Sequence, residues 1–164
     1  MCLIINKEYH RVFLYHFIPR IAKEDIHVYK RLEGRKLHTP VRGVPVKFTN
    51  GILIQTTFWF SFYNVFNPSI NKSVNRPIAV YKGIHSYKQK LPDYYSFSSY
   101  CFHAIIPKGT LYYVGCGNDM VSLKLITFEK ESDYLEYCKK HNKQPVTWES
   151  LRKKEMSMDA EQKH

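Results

Sequence analysis

The sequence predicts an α+β fold, in which a single domain combines a mainly antiparallel sheet with one or two C-terminal helices. Most of the first 128 residues form β-branched and aromatic runs that end at Gly, Pro, Asn or Asp, a pattern typical of strands joined by turns. Two segments with helical patterning follow, and this order of elements is typical of α+β domains. Thirteen tyrosines and ten phenylalanines against seven glycines also favour a sheet-rich interior. We expect residues 1–158 to form one domain and residues 159–164 to fray.

The densest strand signal immediately precedes the helical segments. Three extended runs lie there: residues 99–106, 110–114 and 120–128. The first two are separated by Pro107-Lys108-Gly109, a strong turn signal. This spacing predicts a three-stranded antiparallel meander, entered through residues 78–87. Its last strand should carry Val121, Leu123 and Leu125 on one side.

An earlier strand is predicted over Ile26–Leu32, where the side chains alternate in character. We expect three apolar side chains to face inward and two others to form the polar side: Ile26, Val28 and Leu32 inward, His27 and Lys30 polar. The dipeptide Asn50-Gly51 predicts a hairpin turn between strands at residues 44–48 and 52–60. Residues 61–75 are aromatic, rich in asparagine and irregular, and predict a loop lying over the sheet.

Two helices are predicted near the C-terminus. The first covers Glu131–Asn142, with Ser132 as its cap and with a shared face of three residues: Tyr134, Leu135 and Cys138. The second covers Thr147–Met158, with Thr147 as its cap and with Trp148 and Leu151 as its anchors.

The net charge of +11 is the strongest compositional observation. A charge of this size favours polyanions or anionic small molecules as ligands. A basic balance can also serve only to keep a small protein soluble. No run approaches the ~18 apolar residues of a membrane span, and charges follow Met1–Ile5 too soon for a secretory signal. We therefore expect a cytoplasmic protein, monomeric or a small homo-oligomer, that does not bind membranes.

Cys2 and His85 are the candidate catalytic residues. Removal of Met1 would leave an N-terminal thiol at Cys2, and the α-amine of the same residue can act as its general base. The alternative for Cys2 is a buried thiol in an N-terminal strand. The imidazole of His85 could exchange protons near neutral pH, and the alternative is a loop histidine that bonds to the backbone.

Four cysteines without repeated spacing favour free thiols over a disulfide framework. A zinc site could be assembled on paper from five residues: Cys101, His103, Cys116, Cys138 and His141. The sequence contains no CxxC and no HxxxH pair, so the ligand spacing is irregular for a structural zinc site. We predict no metal and no cofactor.

Tyrosines alternate with basic residues in several places, for example at Tyr29-Lys30-Arg31. Rings stack on nucleobases and cations hold phosphates, so this composition favours a nucleotide or single-stranded nucleic acid. The alternative is a tyrosine-rich sheet with solvated lysines. No RRM-like, KH-like or helix-turn-helix signature is present, which favours a compact anionic ligand. Six residues form the predicted ligand-binding set, with lysines for phosphate, tyrosines for stacking and the histidine for hydrogen bonding: Tyr29, Lys30, His85, Ser86, Tyr87 and Lys108.

A series of short motifs resembles a group of uncharacterised small proteins of bacteriophages and of gut Bacteroides-type bacteria. The motifs cover much of residues 1–128: MCLI at 1–4, AxxDIxVYK at 22–30, GxHSY at 83–87, IPKGxxYYxG at 106–115 and VSxxL at 121–125. The strand order is also loosely similar to that of ADP-ribosyltransferases. The strand over residues 121–128 lacks their Glu-x-Glu motif, so transferase activity is not expected.

The resemblance implies a phage-encoded protein, and small basic phage proteins often act on host machinery. Many host defence systems signal through cyclic nucleotides or ADP-ribose derivatives, which are compact anions with bases to stack. We therefore predict an anti-defence protein that sequesters or cleaves an anionic nucleotide. Three alternatives stay open: a nucleic-acid-binding accessory protein, an enzyme that uses Cys2 or His85, and an inhibitor that contacts a host protein directly.

Overall fold

The computed structural model of the protein describes most of the chain in seven ranges: residues 3–4, 19–33, 51–54, 57–67, 69–90, 99–115 and 119–161. The chain divides into two compact units, Met1–Thr127 and Phe128–His164. Strands precede the two C-terminal helices, and the sheet is mostly antiparallel, which confirms the predicted α+β class.

The strands of the described residues form two sheets. Their bounds are β1 (Leu3–Ile4), β2 (Arg20–Ile21), β3 (Ile26–Glu33), β4 (Ile52–Ile54), β5 (Trp59–Asn67), β6 (Lys72–Lys82), β7 (Ile84–Tyr87), β8 (Ser99–Ile106), β9 (Leu111–Val114), β10 (Asp119–Ser122) and β11 (Lys124–Phe128). The larger sheet has the order β2-β9-β10-β7-β3-β8-β11-β4, and the smaller one has the order β1-β6-β5. Every pairing with a described register is antiparallel.

Strand β3 lies inside the larger sheet and has the longest described pairing in that sheet. It pairs with β8 over eight positions, from Ile26 opposite Ile106 to Glu33 opposite Ser99. The predicted strands at 26–32 and 99–106 are therefore confirmed. One detail is wrong: Lys30 was expected on the polar side, but it is only 4% exposed. Successive side chains alternate across a strand, so Lys30 lies on the side of its buried neighbours at positions 28 and 32.

The two faces of the larger sheet support separate apolar clusters. The main cluster contains buried residues from several strands and from the segment before β3: Ala22, Val28, Ile84, Ala104, Ile106, Met120 and Leu125. On the other face, Tyr113 and Val121 pack with Val80 of the smaller sheet and with Phe58. The rings of Phe58 and Tyr113 meet edge to face, 4.9 Å apart. This second cluster joins the two sheets.

The predicted three-stranded meander is wrong in its connectivity. Strands β9 and β10 do pair, but β8 lies between β3 and β11 and is not a neighbour of β9. The run over 120–128 is interrupted at Leu123, whose N–H donates to the carbonyl of Leu111. The interruption lets β10 and β11 join different neighbours, so Val121 and Leu125 belong to opposite clusters rather than to one side.

The segment expected to be a loop, residues 61–75, forms most of a hairpin instead. Strands β5 and β6 pair from Trp59 opposite Lys82 to Asn67 opposite Lys72. The turn includes Asn71 with a φ of +49°, a conformation that asparagine tolerates better than most residues. The aromatic content that was taken for an irregular loop is equally typical of a strand.

The other predicted hairpin is only partly described. Ile52–Ile54 forms β4, which pairs with β11, while residues 59 and 60 belong to the smaller sheet. The partner expected at residues 44–48 lies outside the described residues. The entry segment at 78–87 is likewise divided between the two sheets at Gly83.

The first helix, α1 (Glu131–Lys140), confirms the predicted helical segment but not its cap. The N–H of Lys130 donates to the Asp133 carboxylate at 3.1 Å, so Asp133 rather than Ser132 supports the helix start. Tyr134 and Cys138 are buried as expected, but Leu135 is 42% exposed and does not share their environment.

The second helix, α2 (Trp148–Glu161), starts with the predicted cap, since the N–H of Ser150 donates to the Thr147 hydroxyl at 3.2 Å. It continues to Glu161, so residues 159–161 are helical although they were expected to fray. Side chains of α1 hold the connection between the helices. Glu131 accepts from the N–H of Trp148 at 2.9 Å, and the Tyr134 hydroxyl accepts from the N–H of Val146 at 3.1 Å. Among the described residues, neither helix combines the length and the apolar character needed to cross a bilayer.

Gly83 provides a test of the junction between the sheets. It has a φ of +152°, and an added Cβ would lie 2.5 Å from the Val121 side chain and 3.0 Å from the Phe58 ring. Gly83→Ala should therefore lower the free energy of unfolding by roughly 2–4 kcal/mol, through backbone strain and overpacking together. Urea unfolding measures this change. The matched control is Gly109→Ala, where φ is +85° but the added Cβ meets open space, so that only about 1 kcal/mol is expected. Equal losses in the two variants would contradict the packing argument.

Candidate functional site

The predicted ligand-binding residues divide between the two faces of the larger sheet. Strands β3 and β7 are neighbours, and Tyr29 lies directly opposite Tyr87. His85 is two positions from Tyr87 and shares its face. Lys30 directly follows Tyr29, and Ser86 directly precedes Tyr87. Both side chains therefore point to the opposite face. The structure therefore brings Tyr29, His85 and Tyr87 together and separates them from Lys30 and Ser86.

A row of polar and aromatic residues crosses four neighbouring strands. Asp119 of β10 lies opposite Tyr87, Tyr87 opposite Tyr29, and Tyr29 opposite His103 of β8. The rings of Tyr29 and His103 are 4.8 Å apart and tilted by 54°. Tyr29 is only 5% exposed, whereas Tyr87 and His103 are half-buried. Tyr29 is thus the buried ring between two more accessible ones.

The next row along the same face adds a cation. Arg31 lies opposite Cys101, and His85 lies opposite Val121. Arg31 and His85 are both half-buried. We call this surface the tyrosine–histidine face and define it by five residues: Tyr29, Arg31, His85, Tyr87 and His103.

Burial and neighbouring charges shift the pKa values of two groups near the tyrosine–histidine face, the Asp119 carboxyl and the His27 imidazole. Burial raises the pKa of the Asp119 carboxyl, and the nearby Lys88 ammonium opposes that shift. His27 lies two residues from Tyr29 on the same face. Burial lowers the pKa of the His27 imidazole, and Asp25 opposes that shift. Protonation of the His27 imidazole in the folded protein is therefore disfavoured.

The opposite face buries two polar side chains within an apolar environment. The Lys30 ammonium donates to the carbonyl oxygen of His85 at 2.6 Å. Burial lowers the pKa of Lys30 from 10.5 to about 8. Ser86 is 1% exposed, and its hydroxyl has no hydrogen-bond partner among the described residues. No ion pair to Lys30 occurs within the described part of the chain.

Lys108 lies apart from both groups, in the turn between β8 and β9. It is exposed, and its backbone N–H donates to the Asp25 carboxylate at 2.9 Å. The turn follows Ile106, which pairs with Ile26, and Ile26 is three residues from Tyr29. The strand rise places this turn roughly 10 Å along the sheet from the tyrosine row.

The remaining sequence-based candidates concern cysteines. Cys2, the candidate nucleophile, lies outside the described residues, and so does Cys116. Cys101 is half-buried and Cys138 is buried, and neither is disulfide-bonded. Among the residues that the structure describes, no group of three or more His, Cys, Asp or Glu side chains is placed to hold a metal ion.

Two residues of the tyrosine–histidine face, Arg31 and His103, and the neighbouring Asp119 are not among the ligand-binding residues predicted from the sequence. Arg31 could have been found by alternation from Tyr29, since residues two apart share a face. His103 and Asp119 could not, because they join the row only through the order of the strands.

No protein-family model, curated protein or solved structure matches this chain. The chemistry of the tyrosine–histidine face is therefore derived from its geometry. Tyrosine and histidine rings offer stacking surfaces and hydrogen-bonding groups, and a guanidinium binds phosphate or carboxylate oxygens in pairs. Together they can hold a planar base and an anionic group on one side of a sheet.

The burial of Lys30 has a testable consequence for stability. The folded-state pKa lies below the unfolded value, so the unfolded chain binds more protons between pH 8 and 10.5, and the free energy of unfolding rises with pH in that window. Lys30→Met removes the buried charge but also the hydrogen bond to His85. A shift of this size corresponds to roughly 3 kcal/mol, and the lost bond offsets about 1 kcal/mol. We therefore expect a gain of roughly 2 kcal/mol at pH 7.

Urea unfolding of the wild type and of Lys30→Met at pH 7 and pH 10 measures both effects. Lys124→Met is the matched control, because Lys124 is an exposed strand lysine and its replacement removes the same charge. The stabilising effect of Lys30→Met should shrink at pH 10. Identical pH dependence in wild type and Lys30→Met would show that Lys30 does not titrate in this window.

Proposed function

We propose that the protein binds a compact anionic nucleotide on the tyrosine–histidine face. The observation that supports this most directly is the row of Tyr87, Tyr29 and His103 on three adjacent strands, with Arg31 on the same side. Aromatic side chains presented on an antiparallel sheet stack bases in sheet-based RNA-binding domains. The same physical arrangement suits the base of a single nucleotide.

The length of the row favours a compact ligand over an extended strand of nucleic acid. Neighbouring strands lie about 4.8 Å apart, so the strands that carry Tyr87 and His103 are separated by roughly 10 Å. One or two bases span that distance. Tyr87 and His103, the half-buried rings, provide the accessible stacking surfaces, and the buried Tyr29 lies between them in the row.

Charge complements the aromatic row. Arg31 can hold a phosphate through two parallel hydrogen bonds, which a lysine ammonium cannot do. The net charge of +11 adds long-range attraction for an anion. The sequence alone suggested Lys30 and Lys108 for this role, and the proposal gives it to Arg31 because Arg31 shares the face of the rings. Cyclic nucleotides and ADP-ribose derivatives, the defence signals that the resemblance suggested, belong to this ligand class.

A ligand panel with ring variants tests the proposal. Isothermal titration would measure the affinity of cyclic dinucleotides, cyclic trinucleotides, ADP-ribose, NAD and short oligonucleotides. Loss of one stacking ring costs roughly 1–3 kcal/mol per base, so Tyr87→Ala and His103→Ala should each weaken binding about 5- to 150-fold. The matched control is Tyr100→Ala, because Tyr100 is an exposed strand tyrosine on the opposite face. A loss of the same size in Tyr100→Ala would place the ligand elsewhere.

Arg31→Ala separates phosphate recognition from stacking. It should weaken the phosphorylated ligands strongly and a matching nucleoside little, while Arg152→Ala on the exposed surface of α2 changes neither. Recovery of the ligand after incubation distinguishes sequestration from cleavage. Binding only to oligonucleotides, with affinity that falls steeply with salt, would favour the nucleic-acid alternative. Absence of binding across the panel would reject the nucleotide proposal.

A further inference from the structure

We propose that Lys30 is a covalent binding site for small, uncharged aldehydes or ketones, and that the Ser86 hydroxyl binds the carbonyl oxygen of the incoming molecule. The site lies on the face opposite the tyrosine–histidine face, so the proposal is independent of nucleotide binding. Two observations support it: the buried amine lacks a carboxylate partner among the described residues, and the buried hydroxyl opposite has no partner there.

Burial makes the neutral, nucleophilic form of the Lys30 amine easier to reach than in an exposed lysine. Its one described hydrogen bond goes to a backbone carbonyl, the His85 oxygen, at 2.6 Å. The carbonyl dipole favours the ammonium, but less strongly than a carboxylate charge would. Desolvation therefore dominates and lowers the pKa to about 8. Lysines that form imines with carbonyl substrates are commonly activated by such burial.

Ser86 is positioned to act together with Lys30. Tyr29 lies opposite Tyr87, and continuing this antiparallel register by one residue places Lys30 opposite Ser86. Side chains of such a pair have Cβ atoms about 5 Å apart. A separation of this size brings the amine and the hydroxyl to the same part of this face. A buried hydroxyl without a partner is costly, and a ligand oxygen would satisfy it.

The surrounding residues select the class of ligand. The neighbours on the same face are apolar and buried: Val28, Leu32, Ile84 and Met120. An anionic ligand would lose its own hydration on entering this environment, whereas a small uncharged carbonyl compound loses little. The side-chain environment therefore favours a small aliphatic aldehyde or ketone.

The proposed step conserves atoms and charge. The Lys30 nitrogen attacks the carbonyl carbon, a C–N bond forms, and the carbonyl π electrons move to the oxygen, which accepts a hydrogen bond from Ser86. A proton then passes from nitrogen to that oxygen to give a carbinolamine. The nitrogen then loses its remaining proton, its electron pair forms the C=N bond, and the C–O bond breaks. The hydroxyl and the proton leave as water, and an imine joins Lys30 to the ligand. No oxidant or reductant takes part.

Trapping with propanal and sodium cyanoborohydride tests the proposal on the full chain. Reduction converts an imine to a stable secondary amine, and peptide mapping by mass spectrometry then reports the extent of modification at each lysine. At pH 7 we expect Lys30 to be modified at least tenfold faster than the exposed Lys124 and Lys108, because much more of its amine is neutral. The preference should shrink as the pH rises above about 8, because the Lys30 amine is then mostly neutral and gains little more reactivity. Modification of the exposed lysines without modification of Lys30 would overturn the proposal, as would equal rates at pH 7.

Two variants assign the roles of the residues. Ser86→Ala should slow trapping at Lys30 roughly tenfold, by removing the donor to the carbonyl oxygen, while urea unfolding verifies that the variant folds. An unchanged rate in a folded Ser86→Ala would exclude the proposed role of Ser86. Lys30→Met should abolish the adduct at this position. Trapping with propanal needs no nucleotide, so failure of trapping and failure of nucleotide binding are separate outcomes.

Discussion

The antiparallel pairing of β3 with β8 on one side and with β7 on the other is the constraint on which both candidate sites depend. Because side chains alternate across a strand, this register assigns Tyr29 and Arg31 to one face and Lys30 to the other. A shift of one residue would exchange every side chain between the two faces. The pairing with β8 spans eight residues and places Val28 in the core, so a slip would expose apolar side chains and bury charged ones.

The strands that could be predicted from the sequence are those whose signal is local. Ile26–Leu32 alternates along its own length, and the run at 99–106 ends at a Pro-Lys-Gly turn, so both elements were found. The order of the strands could not be predicted, because β3 and β8 are some seventy residues apart in the sequence. The side-chain pattern of a strand does not indicate which other strand it pairs with. The meander prediction failed for this reason: proximity in sequence was taken for proximity in the sheet.

The candidate site shows the same division between local and nonlocal information. Tyr29 and Tyr87 were chosen for their chemistry, and the structure places them opposite each other. Lys30 was assigned to the polar side because lysines are rarely buried, although alternation from Val28 already indicated the inner face. The places of His103 and Asp119 in the row could be assigned only once the order of the four strands was known. The side-chain chemistry of the sequence identified the region around β3 and β7. Only the strand pairing shows which of these residues lie on the tyrosine–histidine face and which lie on the opposite face.

Lys30 and His85 have side chains on opposite faces of the larger sheet, and a hydrogen bond links the two residues. The Lys30 ammonium bonds to the backbone oxygen of His85, while the imidazole of His85 belongs to the tyrosine–histidine face. Packing alone does not account for an amine at position 30, because methionine has similar length and would fill an apolar site without the cost of removing a charge from water. The hydrogen bond to the His85 carbonyl offsets only part of the free energy lost when the ammonium leaves water. A buried amine beside an unsatisfied hydroxyl is a costly combination in a core, and the proposed imine chemistry would give both groups a role.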